Sequence, residues 1–304
     1  MVWLFVALGC LLGAVAYWQL AIAEGAYLGA PIVALLYDWT ASRYDRIKRY
    51  QPEDEEWFLA QPLCKALASV ERPLILDVAT GTGRLAEALF RMPGFDGYIV
   101  GLDLSRGMLA QAQRKLAACA QRTLWIWADA MELPFESDVF DVVACLEALE
   151  FMPDPAQVVR EMVRVLRPGG LFLATNRVGP ERVLLPGKTY TEDQFRALLE
   201  RAGLQGIQFA PWQVHYDQVW ARKGGWTHRP EGTWPAVHEF LRCPACGQAH
   251  LVPAASEGHG LRCRVCGRVV HREGNLVLLH RRSFWTRLWH GQGAPRAEGL
   301  TQRG

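Results

Sequence analysis

LDVATGTGRLAEAL, residues 76–89, decides how the chain is read. A short apolar run, LILDV at 74–78, leads into a glycine-bearing turn, and from Arg84 to Arg91 apolar residues recur at helical spacing. Glycines in such a turn let backbone N–H groups approach a ligand closely, because no Cβ stands between them. The spacing Gly81-x-Gly83-x-x-Ala86, with Asp103 some twenty residues further on, fits a dinucleotide fingerprint, so the turn alone leaves NAD open.

Working outward, strand and helix patterns alternate. YIVGLD (98–103), LWIWAD (124–129), VFDVVAC (139–145) and LFLATN (171–176) read as further buried parallel strands. Ser105 is placed to cap a helix running to about Ala120, Pro155 sits just inside another, and 167–170 (RPGG) stops that one. Thr191 with Gln194 forms a capping box, stapled by Tyr190 and Phe195. IQFA (207–210) and VHYDQVWARK (214–223) read as a closing hairpin. The expected fold class is α/β: a doubly wound, mostly parallel seven-stranded sheet with an antiparallel last hairpin. Ligands of such sheets bind beyond the carboxyl ends of the strands, where strand order reverses.

Three features favour S-adenosylmethionine over NAD. Asp77 ends the strand before the turn, where a carboxylate suits a cationic amine and not a pyrophosphate. Asp129-Ala130 follows the third strand, where a carboxylate can accept from an adenine amino group. The sheet closes near residue 222, leaving no room for a separate dehydrogenase substrate domain. Here the chain resembles the class I S-adenosylmethionine-dependent methyltransferases, especially the group with the ubiquinone/menaquinone methyltransferases. The resemblance rests on DVATGTG (77–83), GLDLS (101–105), ADAMELPF (128–135), FDVVACLEALEFMPDP (140–155), LRPGG (166–170) and VWARK (219–223). It covers roughly 37–222. It implies that Asp77, Ala79, Gly81 and Gly83 surround the methionine part, that Asp103 holds the ribose with Leu104 over the adenine, and that Asp129 and Ala130 read the adenine edge. Ala79 departs from the pattern, where glycine is commoner, and a slightly different turn is expected there. Glu147 is the candidate general base; Glu150, His215, Tyr37 and Tyr44 are weaker ones.

Outside the body lie two further signals. Val2 to Ala23 carries no charged side chain, and a helix of that length covers about 33 Å, near the ~30 Å hydrocarbon thickness. Arg43, Arg46, Lys48 and Arg49 follow it, which by the positive-inside rule puts the body in the cytoplasm on a single-pass anchor. A cleaved signal peptide or a buried soluble helix are the rival readings. Residues 26–37 are apolar but too short to span, and suit a surface-lying helix or a lid.

Near the other end, LRCPACG and LRCRVCG place Cys243, Cys246, Cys263 and Cys266 at the spacing of a tetrahedral zinc site, with an iron centre or two disulfides as alternatives. Cys10, Cys64, Cys119 and Cys145 are scattered among apolar residues, which suits a reducing compartment. The segment 241–279 resembles the small zinc-ribbon activator subunit of tRNA and protein methyltransferases. From Ala236 onward there are 10 Arg and 4 Glu, while the preceding residues carry 23 basic and 27 acidic groups. The basic tail suits an anionic surface, lipid or RNA. The expected organisation is an anchor at 1–23, a helical cover at 24–70, a cofactor-binding domain at 71–223, a linker at 224–240, a zinc ribbon at 241–279 and a basic aromatic tail at 280–304. Three functions stay open: methylation of a lipid-phase or small hydrophobic acceptor at the bilayer; methylation of RNA or protein docked by the ribbon; or a non-catalytic, membrane-tethered scaffold.

Overall fold

The structure is a computed structural model that describes residues 1–227, 234–248, 251–254 and 260–280. The tail at 281–304 and residues 228–233 of the linker lie outside the described residues.

The apolar runs form the expected strands. They are β1 (Leu74–Val78), β2 (Tyr98–Asp103), β3 (Thr123–Trp127), β4 (Phe140–Cys145), β5 (Leu166–Arg177), β6 (Leu204–Gln213) and β7 (Tyr216–Lys223). Their order is 6-7-5-4-1-2-3, with β7 antiparallel to both neighbours and the other pairs parallel. Every residue of β1, β3 and β4 is buried, because helices cover both faces. Strand order reverses between β1 and β4, so the glycine turn after β1 opens at the switch point.

The helix signals hold. Ser105 accepts from Met108 N, Asp154 caps Pro155–Val165, and the Thr191/Gln194 capping box opens Glu192–Arg201 with Tyr190 stacked on Phe195. The helix after Ser105 is shorter than expected: it ends at Lys115 and a 3₁₀ segment, Ala117–Arg122, carries the chain on to β3.

The seven-stranded sheet needs correction. Four C-terminal strands, β8 (Leu251–Pro253), β9 (Leu261–Cys263), β10 (Val269–Glu273) and β11 (Leu276–Leu278), join it to make eleven. β11 runs parallel to β3, pairing Leu276 with Trp125 and Leu278 with Trp127. An uncovered β3 would present a row of unpaired N–H and C=O groups. Instead Trp125 N donates to Asn275 O, Leu279 N and His280 N donate to Trp127 O, and the Asn275 amide donates to Thr123. The cysteine-bearing segment is thus a continuation of the main sheet and not a detached module. A second arm reaches the body at Phe135, bridged to Leu241, where Phe240 packs on Phe135 and Phe140.

At the other end, helix Val2–Tyr17 runs on through Trp18–Ile22 with no buried residue, and this stretch is long and apolar enough to cross a membrane. The turn that follows is anchored: Ala23 and Ala26 pack on Phe151 and Leu185, Trp18 Nε1 donates to Leu184 O, and Tyr27 OH donates to Pro186 O. Helix Ala30–Thr40 and the short helices up to Gln61–Ala66 follow, packing on helices Arg84–Arg91 and Arg106–Lys115.

Candidate functional site

The residues proposed from sequence for the nucleoside meet at the carboxyl ends of β1, β2 and β3. Asp77, the fourth residue of β1, is buried and accepts from Thr80 Oγ1. Asp103, the last residue of β2, accepts from Gly81 N and Ser105 N, each at 2.8 Å. Burial pushes Asp77 up to about 7, with Asp103 adding to the shift and the Thr80 hydroxyl opposing it. Burial likewise pushes Asp103 up to about 6, opposed by the Ser105 and Gly81 N–H groups and reinforced by Asp38. The hydrogen bonds to both carboxylates come from neutral donors; the charge of Arg84 also favours ionised Asp77, and a ligand's cation at Asp77 and hydroxyls at Asp103 would add to them.

The turn explains Ala79. Its φ is +56, the left-handed region, as are those of Gly81 (+55) and Gly83 (+79). The turn is therefore the one a glycine would make, not a different one, and alanine bears the strain. A Cβ on Gly81 would stand in open space, whereas one on Gly83 would press on Leu116, Ala112 and Trp125. Packing thus requires glycine at 83 but not at 81, where only the positive φ favours it. Leu104 O accepts from Trp127 Nε1, and Ala128 N donates to Asp103 O, which ties the β3 end to the β2 end. Asp129 lies just past β3, its Oδ1 accepting from Met131 N, with buried Ala130 beside it.

Asp38, unmarked in the sequence reading, closes this end. Its Oδ1 accepts from Ser105 Oγ and from Gly107 N, at the N-terminus of helix Arg106–Lys115. Nearby, Asp45 takes the Thr82 hydroxyl and Lys115.

Beyond β4 and β5 lies a cavity of about 420 Å³, of a size that takes a small molecule. Its lining includes Glu24, Lys48, Phe58, Glu147, Trp212 and His215, and none of the eight nucleoside residues. Glu147 is held with φ +52, an uncommon backbone for a non-glycine residue. Its N–H donates to Thr175 Oγ1; Oε1 accepts from Arg84 Nη1 and Gln213 Nε2, and Oε2 lies 3.8 Å from Lys48 Nζ.

Arg84 is the hub that sequence reasoning missed. It opens the helix after the glycine turn, forks onto Glu55 through Nε and Nη2, and lies between the rings of Tyr50 (3.7 Å) and Trp212 (4.7 Å). Burial works against its charge, but the bond to Glu55 and the charges around it outweigh that and hold Arg84 above its ordinary range. Nothing local in the sequence marks it, since its partners come from three separate segments, 50–55, 147 and 212.

The weaker candidates divide. Glu150 is buried and takes the Tyr216 hydroxyl and Arg177. Tyr37 donates to Glu24, and burial pushes the Tyr37, Tyr44 and Tyr216 phenols well up. Those phenols stay protonated and act as donors, not bases. His215 lines the cavity.

The four C-terminal cysteines converge, with all Sγ atoms within 4.8 Å of one another. Cys243 and Cys266 lie 3.6 Å apart, as do Cys246 and Cys263. A tetrahedron with bonds of about 2.3 Å to sulfur has S···S edges of about 3.8 Å, far from the ~2.05 Å of a disulfide. The two knuckles match: Gly247 N donates to Cys243 O and Gly267 N to Cys263 O, with φ of +71 and +72. The donor set fits a thiophilic metal.

Comparison with known proteins bears on this geometry. Residues 76–174 match the family described as a methyltransferase domain. A demethylmenaquinone methyltransferase of Clavibacter sepedonicus is 36% identical over 140 residues, 45% of this chain and 55% of that protein. One from Bacillus licheniformis is 33% identical over 168 residues, 45% of this chain and 72% of that protein. The chain thus spans only about half the length of the first. Among solved structures, an S-adenosyl-L-methionine-dependent methyltransferase of Methanococcus maripaludis superposes with a TM-score of 0.51 at 18% identity, covering 62% of this chain and 94% of that one, a likeness of fold.

Proposed function

The chain belongs to the S-adenosylmethionine-dependent methyltransferase family that includes the demethylmenaquinone methyltransferases, and from that premise we propose that it is a membrane-anchored enzyme methylating a small, ring-bearing hydrophobic acceptor of the prenylated quinol class. The observation that carries the reading is the nearness of two groups. Carboxylates with neutral donors stand at β1 and β2, and Arg84, just past the glycine turn, reaches Glu147 in the lining of a polar 420 Å³ cavity, while the chain before them begins with a 21-residue apolar helix.

When bound, S-adenosylmethionine supplies a methyl already activated on a sulfonium, which an acceptor nucleophile takes in line as the carbon–sulfur bond breaks. The protein's task is alignment. Asp77, Ala79, Gly81 and Gly83 surround the methionine part; Asp103 takes the ribose hydroxyls, Leu104 covers the adenine, and Asp129 and Ala130 read its edge. Glu147 receives the proton the acceptor gives up, through the Oε2 that faces Lys48 at 3.8 Å. Arg84 fixes Oε1 of the same carboxylate, so it positions the base. The acceptor's ring enters the cavity and its tail stays in lipid. The anchor leaves the catalytic body on the cytoplasmic side, and Cys243, Cys246, Cys263 and Cys266 hold zinc, which keeps β11 on the β3 edge.

The test uses the full chain in lipid nanodiscs with methyl-labelled S-adenosylmethionine and fractionated cell extract. Label in the organic phase, on a compound absorbing as a quinone, supports the proposal. Label in RNA or protein would move the substrate to a macromolecule, and cofactor binding without transfer to any fraction would leave a scaffold. One zinc per chain by elemental analysis, with a fall in Tm on chelation, tests the metal.

A further inference from the structure

Helix Ala30–Thr40 is apolar on two faces, and the protein covers only one of them. Toward the body, Tyr37 joins the polar network of the cavity and Asp38 caps the helix after β2. Away from it, Leu28, Pro31, Leu35 and Trp39 recur at helical spacing and stay exposed, Trp39 at 80% and Leu35 at 46%. Ile47, at 60%, extends the exposed apolar side chains, and Arg43, Arg46 and Arg49 are exposed among them.

We propose that this outer face is a membrane-binding surface: the helix lies in the plane of the bilayer, with Leu28, Leu35, Trp39 and Ile47 in the headgroup–acyl boundary and Arg43 and Arg46 at the phosphates. The inference rests on the anchored reading above and adds to it where the body meets the lipid. The occupant follows from continuity. Only residues 23–29 separate the apolar helix Val2–Ile22 from this one. Seven residues reach at most about 25 Å, less than the ~30 Å of the hydrocarbon core, so the second helix begins close to the surface from which the first emerges. The intervening turn is packed on Phe151 and Leu185, which fixes the span's exit to the body. An apolar stripe carrying Trp and followed by arginines has the composition of an interfacial helix. Its inner face bears Tyr37, which donates to Glu24 of the cavity lining, and Asp38, so the element that touches lipid also holds one side chain of the acceptor cavity and pins the nucleoside end.

The test places the full chain in vesicles of phosphatidylcholine and phosphatidylglycerol brominated at shallow or deep acyl positions. The Trp39 signal is isolated as the difference between wild type and Trp39→Phe. Shallow bromine is expected to quench that signal roughly twofold, and deep bromine less, as burial of about 5–10 Å requires. Resistance to carbonate extraction reports the span separately. Resistance together with an unquenched Trp39 overturns the surface and spares the anchor; extraction with Trp39 still quenched costs the anchor and leaves the surface. Leu35→Glu with Trp39→Glu is a second probe. It is expected to lower kcat/KM for a lipid-phase acceptor at least tenfold while S-adenosylhomocysteine affinity stays within twofold, the latter also showing that the variant folds. A second copy of the chain on this face would appear as a dimer in detergent that the double variant dissolves, and would overturn the proposal.

Discussion

Two groups of buried carboxylates sit side by side and have opposite electrostatics. At the glycine turn, Asp77 and Asp103 receive hydroxyl and backbone N–H donors, and burial pushes them up to about 7 and about 6. At the cavity, Glu55 and Glu147 are equally buried but share Arg84, with Lys48 near the second. The first pair has no ion-pair partner among the described residues; the second has its charge built in. A buried carboxylate with only neutral donors is costly, which under the proposed function suits a place where a ligand binds. A fully paired one suits a positioned, rigid element.

The comparison breaks first at Arg84. Arg84→Met leaves Glu55 and Glu147 buried without their cation, and a loss of about 3–5 kcal/mol is expected from denaturant unfolding. Adding Glu55→Gln and Glu147→Gln should recover most of it. If Arg84→Met alone costs under ~1 kcal/mol, the hub is not paired as described. Next, Asp103→Ala should weaken S-adenosylhomocysteine binding about 100-fold by calorimetry, as losing charged hydrogen bonds predicts. Glu147→Gln, on the paired side, should leave that affinity within about threefold and cut kcat about 100-fold, the span of general base catalysis. Equal effects of both variants on binding would erase the distinction between the two groups.

Acidity sharpens it. Below about pH 7 Asp77 gains a proton, so affinity for the cationic cofactor should rise as pH climbs through 6 and 7, up to about tenfold per unit. Stability of the ligand-free protein runs the other way. A carboxyl raised on folding binds its proton more tightly in the native state, so its contribution is greatest below the unfolded value near 4 and is lost as pH rises toward 7. Asp77→Asn should flatten that decline in a Tm series from pH 5 to 7.5. The smallest effect is expected at Ala79: glycine there relieves a left-handed alanine, and the change in stability should stay within about 1 kcal/mol.

Legibility followed locality. That the fold brings Asp77, Gly81, Gly83 and Asp103 together could be anticipated because each lies on a local strand-and-turn pattern. The capping residues Ser105, Asp154 and Thr191 were readable for the same reason. The cysteine quartet was readable from two matching knuckles. The network of Arg84, Tyr50, Glu55 and Trp212 was not, because its members meet only after the cover and the hairpin have packed on the sheet. Asp38, reaching across 67 residues to Ser105, was invisible likewise. The count of strands went wrong at β3, where alternation reveals a strand but not which neighbour completes its edge.

That last edge carries a consequence for how the molecule is made. β11 is the last of the described strands to be synthesised, so the emerging polypeptide holds β3 open until residues 276–278 have left the ribosome. A chain interrupted before residue 276 would keep a sticky ribbon of unpaired backbone next to its nucleoside end, a natural handle for chaperones and proteases.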